Sequence, residues 1–194
     1  MLLLSTATAF AQQHEVGLTL GGLFSQNRGI PSNQVMLSAG SALQANYGYR
    51  FLGNHVAALY GEVHFLANPQ RTVTSLNQAS TRDVATLYVT PGIRVKFAPR
   101  KALSPYVAVG GGFGDYEQSR LRLDGQPNGA PRQLARGVFD FGGGVDVRFW
   151  KFIGLRAEIR DFYTGSPAYN SGIRGGQHNV VAGGGIVLKF GGRE

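Results

Sequence analysis

Polar and apolar residues alternate with a period of two along most of this chain. In Leu87–Phe97 (LYVTPGIRVKF), apolar side chains hold the odd positions, while Tyr, Thr, Gly, Arg and Lys hold the even ones. The segment Leu155–Arg160 (LRAEIR) repeats the pattern, with Leu, Ala and Ile opposite Arg, Glu and Arg. Such alternation is typical of a β-strand with one apolar face, and helical periodicity is nearly absent. The sequence therefore predicts an all-β protein.

Eight segments of this kind occur, each long enough to cross a bilayer as a tilted strand, which takes ~9–11 residues. The predicted strands are His14–Phe24, Ser41–Phe51, Val56–Ala67, Asp83–Phe97, Pro105–Glu117, Leu134–Phe149, Ile153–Thr164 and His178–Phe190. Pro91 interrupts the fourth of these. Because proline cannot donate to a ladder, we expect a β-bulge there.

The connections between these strands alternate in length. Long polar loops are Ser25–Gly40, Asn68–Arg82, Gln118–Gln133 and Gly165–Gln177, and short turns are Leu52–His55, Ala98–Ser104 and Trp150–Phe152. Short turns at one end and longer loops at the other are typical of outer-membrane barrels. The sequence therefore predicts an eight-stranded antiparallel up-and-down transmembrane β-barrel.

The alternation does not say which face points inward. A soluble barrel of lipocalin type has its apolar face inside, whereas a membrane barrel turns that face to lipid. An eight-stranded interior is only just wide enough to be filled by side chains, and the polar face here mixes a few long charged chains with glycines. Opposite charges on that face can pair, as buried charges must. We therefore predict a membrane barrel, with the soluble barrel as the alternative. The predicted lumen charge network consists of Glu62, Arg94, Lys96, Asp140, Asp146, Arg148, Arg156, Glu158 and Arg160.

Composition agrees with this interpretation: 29 of 194 residues are glycine, 20 are Phe or Tyr, and none is Cys. The glycines of the polar face, among them Gly21 and Gly185, are expected to save space in the lumen. Aromatic residues group at the strand ends, as the two interfacial girdles of a membrane barrel do. The girdle beside the short turns would contain Phe51, Phe97, Tyr106, Phe149, Trp150, Phe152 and Phe190, and the other Phe24, Phe65, Tyr116, Tyr163 and Tyr169.

The first eleven residues, MLLLSTATAFA, form a short apolar core that ends in an A-x-A pattern before Gln12. This is typical of a secretory signal peptide. No Lys or Arg precedes the core, so the leader could begin upstream of Met1. We expect residues 1–11 to be the signal peptide and residues 12–194 to form the barrel domain.

The glycine-rich strands VAVGGGFG and FDFGGGVDVRF, the TPGIRVKF and LRAEIRDFY segments and the last strand resemble the small eight-stranded outer-membrane proteins of Gram-negative bacteria, the group of OmpA membrane domains, OmpX and the opacity proteins. The resemblance covers about residues 12 to 190 and implies location in the outer membrane. The ending Gly185-Ile-Val-Leu188-Lys-Phe190 looks like the family's C-terminal assembly signal, which the barrel-assembly machinery would read. In the family the aromatic usually ends the chain, whereas GGRE follows it here.

A net charge of +8 suggests anionic partners. Arg71, Arg82, Arg120 and Arg122 lie in or beside predicted outer loops, where they could meet lipopolysaccharide phosphates through bidentate contacts. Solvated loop charge is the other interpretation. Because the basic residues follow no recognition element, no nucleic-acid partner is expected. We expect a monomer.

No nucleotide-binding loop and no H-E-x-x-H motif occurs, so neither a metal nor a cofactor is expected. Glu62 and His64 share a predicted face, but no nucleophile stands beside them, and a lumen hydrogen bond is the simpler interpretation. His178, with Ser166 and Ser171 in the adjoining loop, leaves open an outer-membrane lipid A hydrolase as the alternative. A non-enzymatic structural or surface-interaction role is the prediction.

Overall fold

The period-two segments pair into a closed antiparallel sheet. A computed structural model of the protein describes residues 13–30, 33–165, 167, 169–172 and 174–191. Its strands are β1 (His14–Ser25), β2 (Arg28–Ile30), β3 (Asn33–Leu37), β4 (Gly40–Gly53), β5 (Ala57–Ser75), β6 (Asp83–Phe97), β7 (Leu103–Gln118), β8 (Gln133–Arg148), β9 (Ile153–Thr164) and β10 (Gln177–Phe190). The predicted signal peptide lies outside the described residues. Within the described ranges, no helix has the length and apolar character to cross a bilayer.

Eight of these strands form the barrel wall, in the order β1-β4-β5-β6-β7-β8-β9-β10, and β10 pairs with β1 to close it. The closing ladder runs without interruption from His14 opposite Phe190 to Ser25 opposite Asn179. Each wall strand therefore has two partners and presents no unpaired edge, as a strand in lipid requires. The predicted eight-stranded antiparallel barrel is confirmed.

The first long loop carries two short strands that the sequence did not predict. β2 and β3 form a hairpin, and β3 pairs with the end of β5, where Val35 lies opposite Ser75. β5 is 19 residues long and runs well past Ala67, the predicted end of the third strand. The first two long loops are thereby joined by a ladder at their bases.

A β-bulge in β5 changes which residues face the interior. The register with β6 shifts between Asn68 and Arg71. The inward residues are even-numbered up to Asn68 and odd-numbered from Arg71 onward. An extra residue in one strand has this effect because successive side chains point to opposite faces of a sheet. The bulge therefore turns Arg71 into the barrel.

The bulge predicted at Pro91 is wrong. Pro91 stays opposite Val63 of β5, and the ladder with β7 keeps one register from Val89–Phe113 to Gly92–Gly110. The β6–β7 ladder skips the proline and the residue before it without inserting a residue. Loss of one N–H donor removes pairing locally but does not change the residue count of either strand.

The apolar face points outward. Ile93 is 52% exposed while its neighbour Arg94 is fully buried, and the same alternation holds for Leu155 and Arg156. Apolar surface on the outside and charge on the inside is the arrangement that lipid requires. The soluble-barrel alternative is therefore wrong for this chain.

Glycines on the inner face allow close approach of neighbouring strands. A Cβ atom at Gly21 would lie 2.8 Å from the Cα of Gly183 across the β1–β10 seam. A Cβ atom at Gly185 would collide with the carbonyl oxygen of Leu18 on the same seam. The run GGG at Gly183–Gly185 is thus a packing feature of the closing strand.

Most of the predicted girdle residues are exposed on the outer face, including Phe51, Phe149 and Trp150. Three are not. Tyr106 is 2% exposed, and Tyr116 and Tyr169 are fully buried. The even-numbered positions of β7 face the interior, so Tyr106 and Tyr116 contribute to the lumen instead of the girdles.

Candidate functional site

Glu15 forms the centre of an ion-pair cluster near the short-turn end of the lumen. Its carboxylate lies 2.8 Å from Arg94 Nη2 and 2.6 Å from Lys96 Nζ. Arg156 at 3.6 Å and Lys189 at 3.9 Å complete the surrounding cations. The sequence interpretation missed Glu15 and Lys189. Their position along the strand was the available signal, because each lies on the same strand face as lumen glycines. Glu15 shares its face with Gly17 on β1, and Lys189 shares its face with Gly183 and Gly185 on β10.

Asp146 links this cluster to β8. Arg156 donates to both of its carboxylate oxygens, at 2.7 and 2.9 Å, and Lys96 Nζ lies 2.6 Å from Oδ2. The bidentate geometry fixes the planar guanidinium against the carboxylate. Tyr106 packs against the same cations, with Arg94 5.3 Å and Arg156 4.9 Å from its ring centroid.

Arg160 forms the centre of a second cluster, which is farther from the short turns. It donates to Glu62 and, at 2.8 Å, to Asp140, and its Nε lies 3.5 Å from Glu158. Arg94 lies 3.0 Å from Glu62 and joins the two clusters. The structure thus brings the seven predicted residues Glu62, Arg94, Asp140, Asp146, Arg156, Glu158 and Arg160 into one connected network. Lys96 belongs to it as well.

Arg148 is the exception among the predicted lumen charges. Its side chain is exposed at the short-turn end, where it donates to the carbonyl of Arg100 at 2.7 Å. Arg148 is at an even-numbered position of β8, as the inward-facing residues of that strand are. It is the last residue of β8, however, and lies beyond the packed interior.

The described network is electrically neutral. It contains five carboxylates and five cations, so the formal sum is zero. The carboxylates are Glu15, Glu62, Asp140, Asp146 and Glu158, and the cations are Arg94, Lys96, Arg156, Arg160 and Lys189. Neutrality matters because desolvated charges are tolerated in a protein interior only when they are paired.

An apolar layer lies on the long-loop side of this network. On β5 Leu66 follows Glu62, on β9 Phe162 follows Arg160, and both apolar side chains are fully buried. Leu23 and Val181 face each other across the β1–β10 seam in the same cluster, which also includes Tyr88 and Val138. This layer lies between the ion pairs and the long loops.

The four arginines predicted to contact anionic lipid occupy three different environments. Arg71 is 1% exposed inside the barrel, so its prediction as an exposed loop contact is wrong; the bulge in β5 is the reason. Arg82 pairs with Asp83 at 2.9 Å and Arg122 with Asp124 at 2.6 Å. Arg120 is exposed.

Two loop groups have shifted pKa values. Hydrogen bonds from the Arg122 guanidinium hold the pKa of the Asp124 carboxyl below its usual range. Burial raises the pKa of Tyr169, which is fully enclosed between the long loops. Both shifts preserve the ordinary charge state at neutral pH, an anionic Asp124 and a neutral Tyr169.

The residues of the predicted assembly signal lie along the closing seam. Gly185 faces inward opposite Thr19, while Leu188 faces outward opposite Val16. Phe190 is 48% exposed at the short-turn end of β10. All three are therefore placed where β10 meets β1.

His178 lies at the long-loop end of the outer face. Its Nδ1 is 2.6 Å from Asp161 Oδ2, and its ring lies 4.8 Å from that of Tyr163. Ser171 is buried, and Ser166 lies outside the described residues. His64 is buried in the lumen, where its Nε2 is 3.1 Å from Gln44 Oε1. In the described part of the chain, no three His, Asp or Glu side chains are grouped as metal ligands.

A closed barrel with a charged interior and an apolar exterior defines a transmembrane β-barrel. The model of the outer membrane protein beta-barrel domain matches residues 1–185, and the chain belongs to this family. The protein is therefore an outer-membrane protein. In this class the short turns are periplasmic and the long loops lie outside, and we expect the same here. No curated protein matches the chain in sequence.

The solved structures that share the fold include three outer-membrane barrels. Neisserial surface protein A is 12% identical, with a TM-score of 0.60 over 91% of this chain and 97% of that one. OprG from Pseudomonas aeruginosa is 10% identical, with a TM-score of 0.54 over 93% and 96%. The N-terminal barrel domain of OprF from Pseudomonas aeruginosa is 12% identical, with a TM-score of 0.52 over 92% and 98%. At these identities the likeness concerns the fold alone.

Proposed function

We propose that this protein is a non-enzymatic outer-membrane barrel that acts through its extracellular surface. The observation that carries the proposal is the filled lumen. A neutral ion-pair network occupies its periplasmic half, and buried Leu23, Leu66 and Phe162 cover that network from the outside. A solute would have to displace both layers to pass through.

The surface ligand that this charge distribution suits best is lipopolysaccharide. Arg120 is exposed, and a surface hollow between the long loops is lined by Arg122, Arg136, Gln118 and Asn170. Guanidinium groups bind phosphate through two parallel hydrogen bonds. On this proposal the phosphates of lipopolysaccharide would contact the exposed side chains of these loops.

Reconstitution in vesicles with and without lipopolysaccharide tests this contact. We expect lipopolysaccharide to raise the temperature at which the protein loses its heat-modifiable gel migration. A double variant, Arg120→Gln with Arg136→Gln, should lose most of that increase. The matched control is Arg100→Gln with Lys101→Gln in the exposed periplasmic turn, which should keep it. Equal loss in both variants would refute binding by the outer loops.

A specific observation favours one second candidate, an outer-membrane lipid hydrolase. His178 and Asp161 form a hydrogen-bonded pair on the outer face, with the His178 side chain 46% exposed. A carboxylate on Nδ1 orients an imidazole so that Nε2 can act as a general base. Release of fatty acid from lipid A or phospholipid by the purified protein, abolished in His178→Ala, would replace the non-enzymatic proposal. We expect no release.

Two partner proposals accompany the main one. The barrel-assembly machinery would recognise the closing strand through Gly185, Leu188 and Phe190. Exposed apolar residues occur on the outer face of every wall strand and suit it to lipid contact all round, and we propose that the barrel is monomeric. Sedimentation in detergent would test this, and a dimer mass for the protein component would contradict it.

A further inference from the structure

Above the apolar layer, the interior contains a buried arginine whose charge the lumen network does not balance. Arg71 is 1% exposed, and the β-bulge at the preceding residues turns it inward. Its stem packs against Gly40, where a Cβ atom would lie 2.6 Å from Arg71 Cγ. The guanidinium donates to Ser25 Oγ through Nη1. That is the one hydrogen bond the guanidinium makes within the described part of the chain.

The remaining donors of Arg71 have a defined geometry. Nε and Nη2 are both buried and have no hydrogen-bond partner. These two nitrogens form one edge of the planar guanidinium, and their N–H groups point in parallel. That edge matches the spacing of two oxygens in a carboxylate or phosphate group. Buried donors are rarely left without a partner, so the edge requires an acceptor.

The acidic residues that the structure describes do not supply that acceptor. The five lumen carboxylates are neutralised by five cations below the apolar layer. The outer carboxylates have other surroundings: Asp83 pairs with Arg82, Glu117 with Arg132, Asp124 with Arg122 and Asp161 with His178. Asp115 lies at an outward, odd-numbered position of β7. Among the described residues, none of these carboxylates forms an ion pair with Arg71.

The neighbours of Arg71 are suited to an enclosed polar ligand. Ser25 Oγ donates to Asn179 Oδ1 at 2.6 Å, and Gln177 Nε2 donates to the same oxygen at 2.7 Å. Tyr169 covers the region from the loops, and its hydroxyl lies 3.3 Å from Gln177 Oε1. A second guanidinium, that of Arg28, lies 5.7 Å from the Tyr169 ring centroid. Arg28 and several neutral hydrogen-bonding groups therefore lie in the part of the barrel interior that Tyr169 covers.

We propose that the enclosed region around Arg71, between the apolar layer and the long loops, is a binding site for a small soluble oxyanion, held by the Nε–Nη2 edge of Arg71. The ligand class is a carboxylate or phosphate group. Arg71 is 1% exposed, so the ligand must be small. The bound oxyanion would neutralise a charge that no described carboxylate pairs with.

The direct test is NMR of the full chain, folded in detergent micelles with 15N-labelled arginine. Sodium phosphate and sodium acetate are titrated separately against sodium chloride at constant ionic strength. The Arg71 Nε–Hε resonance should shift saturably with both oxyanions and not with chloride. Absence of a saturable shift, or an equal shift with chloride, would overturn the proposal. A shift produced only by lipopolysaccharide micelles would overturn it as well, since the ligand would then be a lipid headgroup.

Variants separate binding from a general effect on folding. Arg71→Lys keeps the charge but loses the two-donor edge, and should weaken phosphate affinity by roughly tenfold or more, as expected for a lost hydrogen bond between charged groups. Arg71→Met should abolish the phosphate-dependent rise in unfolding midpoint. Arg120→Met, at an exposed loop arginine, should retain it. If all three variants respond to phosphate like the unaltered protein, Arg71 is not the binding group.

Discussion

The ring of Phe190 stacks on the imidazole of His14, with centroids 5.4 Å apart and planes inclined by 10°. These residues are opposite each other in the closing ladder, where the first wall strand meets the last. His14 Nδ1 also lies 2.7 Å from the hydroxyl of Tyr47 on β4. The aromatic end of β10 therefore joins three neighbouring strands at the periplasmic rim.

We predict that Phe190→Ala lowers the amount of folded protein in the outer membrane far more than Phe113→Ala does. The two rings are similarly exposed, 48% and 55%, so the loss of lipid-contacting area is matched. Phe190 additionally closes the seam and ends the proposed assembly signal. Heat-modifiable migration of outer-membrane fractions measures the folded amount. Equal losses would mean that burial in lipid alone accounts for Phe190.

Glu158→Ala is expected to destabilise the barrel by about 3–5 kcal/mol, because it leaves buried Arg160 short of a partner. It also removes hydrogen bonds from Thr19 and Tyr106. The control is Glu117→Ala, whose pair with Arg132 is solvent-exposed and should contribute only ~0–1 kcal/mol. Urea unfolding followed by fluorescence of Trp150, the single tryptophan, compares the two. Similar costs would indicate that water reaches the lumen charges.

Close packing at the inner-face glycines predicts different stabilities for two glycine-to-alanine variants. Gly21→Ala places a Cβ 2.8 Å from the Cα of Gly183, and backbone atoms in the seam cannot move aside. We expect a cost of roughly 1–3 kcal/mol, as for other overpacked sites. Gly111→Ala on the outer face has its nearest neighbour at 3.8 Å and should be near neutral in the same urea assay. The reverse order would contradict the assignment of faces.

Membrane topology is open to a labelling experiment because the sequence contains no cysteine. Leu76→Cys lies in an outer loop at a position 77% exposed, and His55→Cys lies in an exposed periplasmic turn. In intact cells, an impermeant maleimide should label the first and not the second. After the cells are opened, both should react. Labelling of only His55→Cys in intact cells would invert the topology.

The barrel and the inward direction of its polar face could be predicted from the sequence because alternation, loop lengths and strand number reinforce one another. Most predicted wall strands agree with the structure within two residues at each end, and Arg94 and Arg156 face inward as predicted. Single breaks in the alternation were not predicted correctly. The bulge between Asn68 and Arg71 contains Pro69, a residue typical of bulges, but the sequence interpretation places this segment in a loop and so misses the move of Arg71 to the interior.

The sequence predicted that charged residues face inward, but it predicted less well which of them lie in the packed part of the lumen. Whether an inward position lies in the packed interior depends on its height along the barrel. Arg148 has the right phase but is exposed at the end of β8, whereas Lys96, one residue before the end of β6, is fully buried. The height of a residue along the barrel axis follows from the stagger between neighbouring strands. That stagger is set by strand pairing, so the sequence of one strand does not reveal it.

Planar-bilayer recording of the purified protein tests most directly the claim that the lumen is sealed and the protein acts through its surface. The neutral network around Glu15 and Arg160 lies in the lumen, with the buried residues Leu66 and Phe162 between it and the long loops. The account predicts membranes that stay free of steady, porin-like current after insertion of folded protein. Large, steady conductance steps would contradict it.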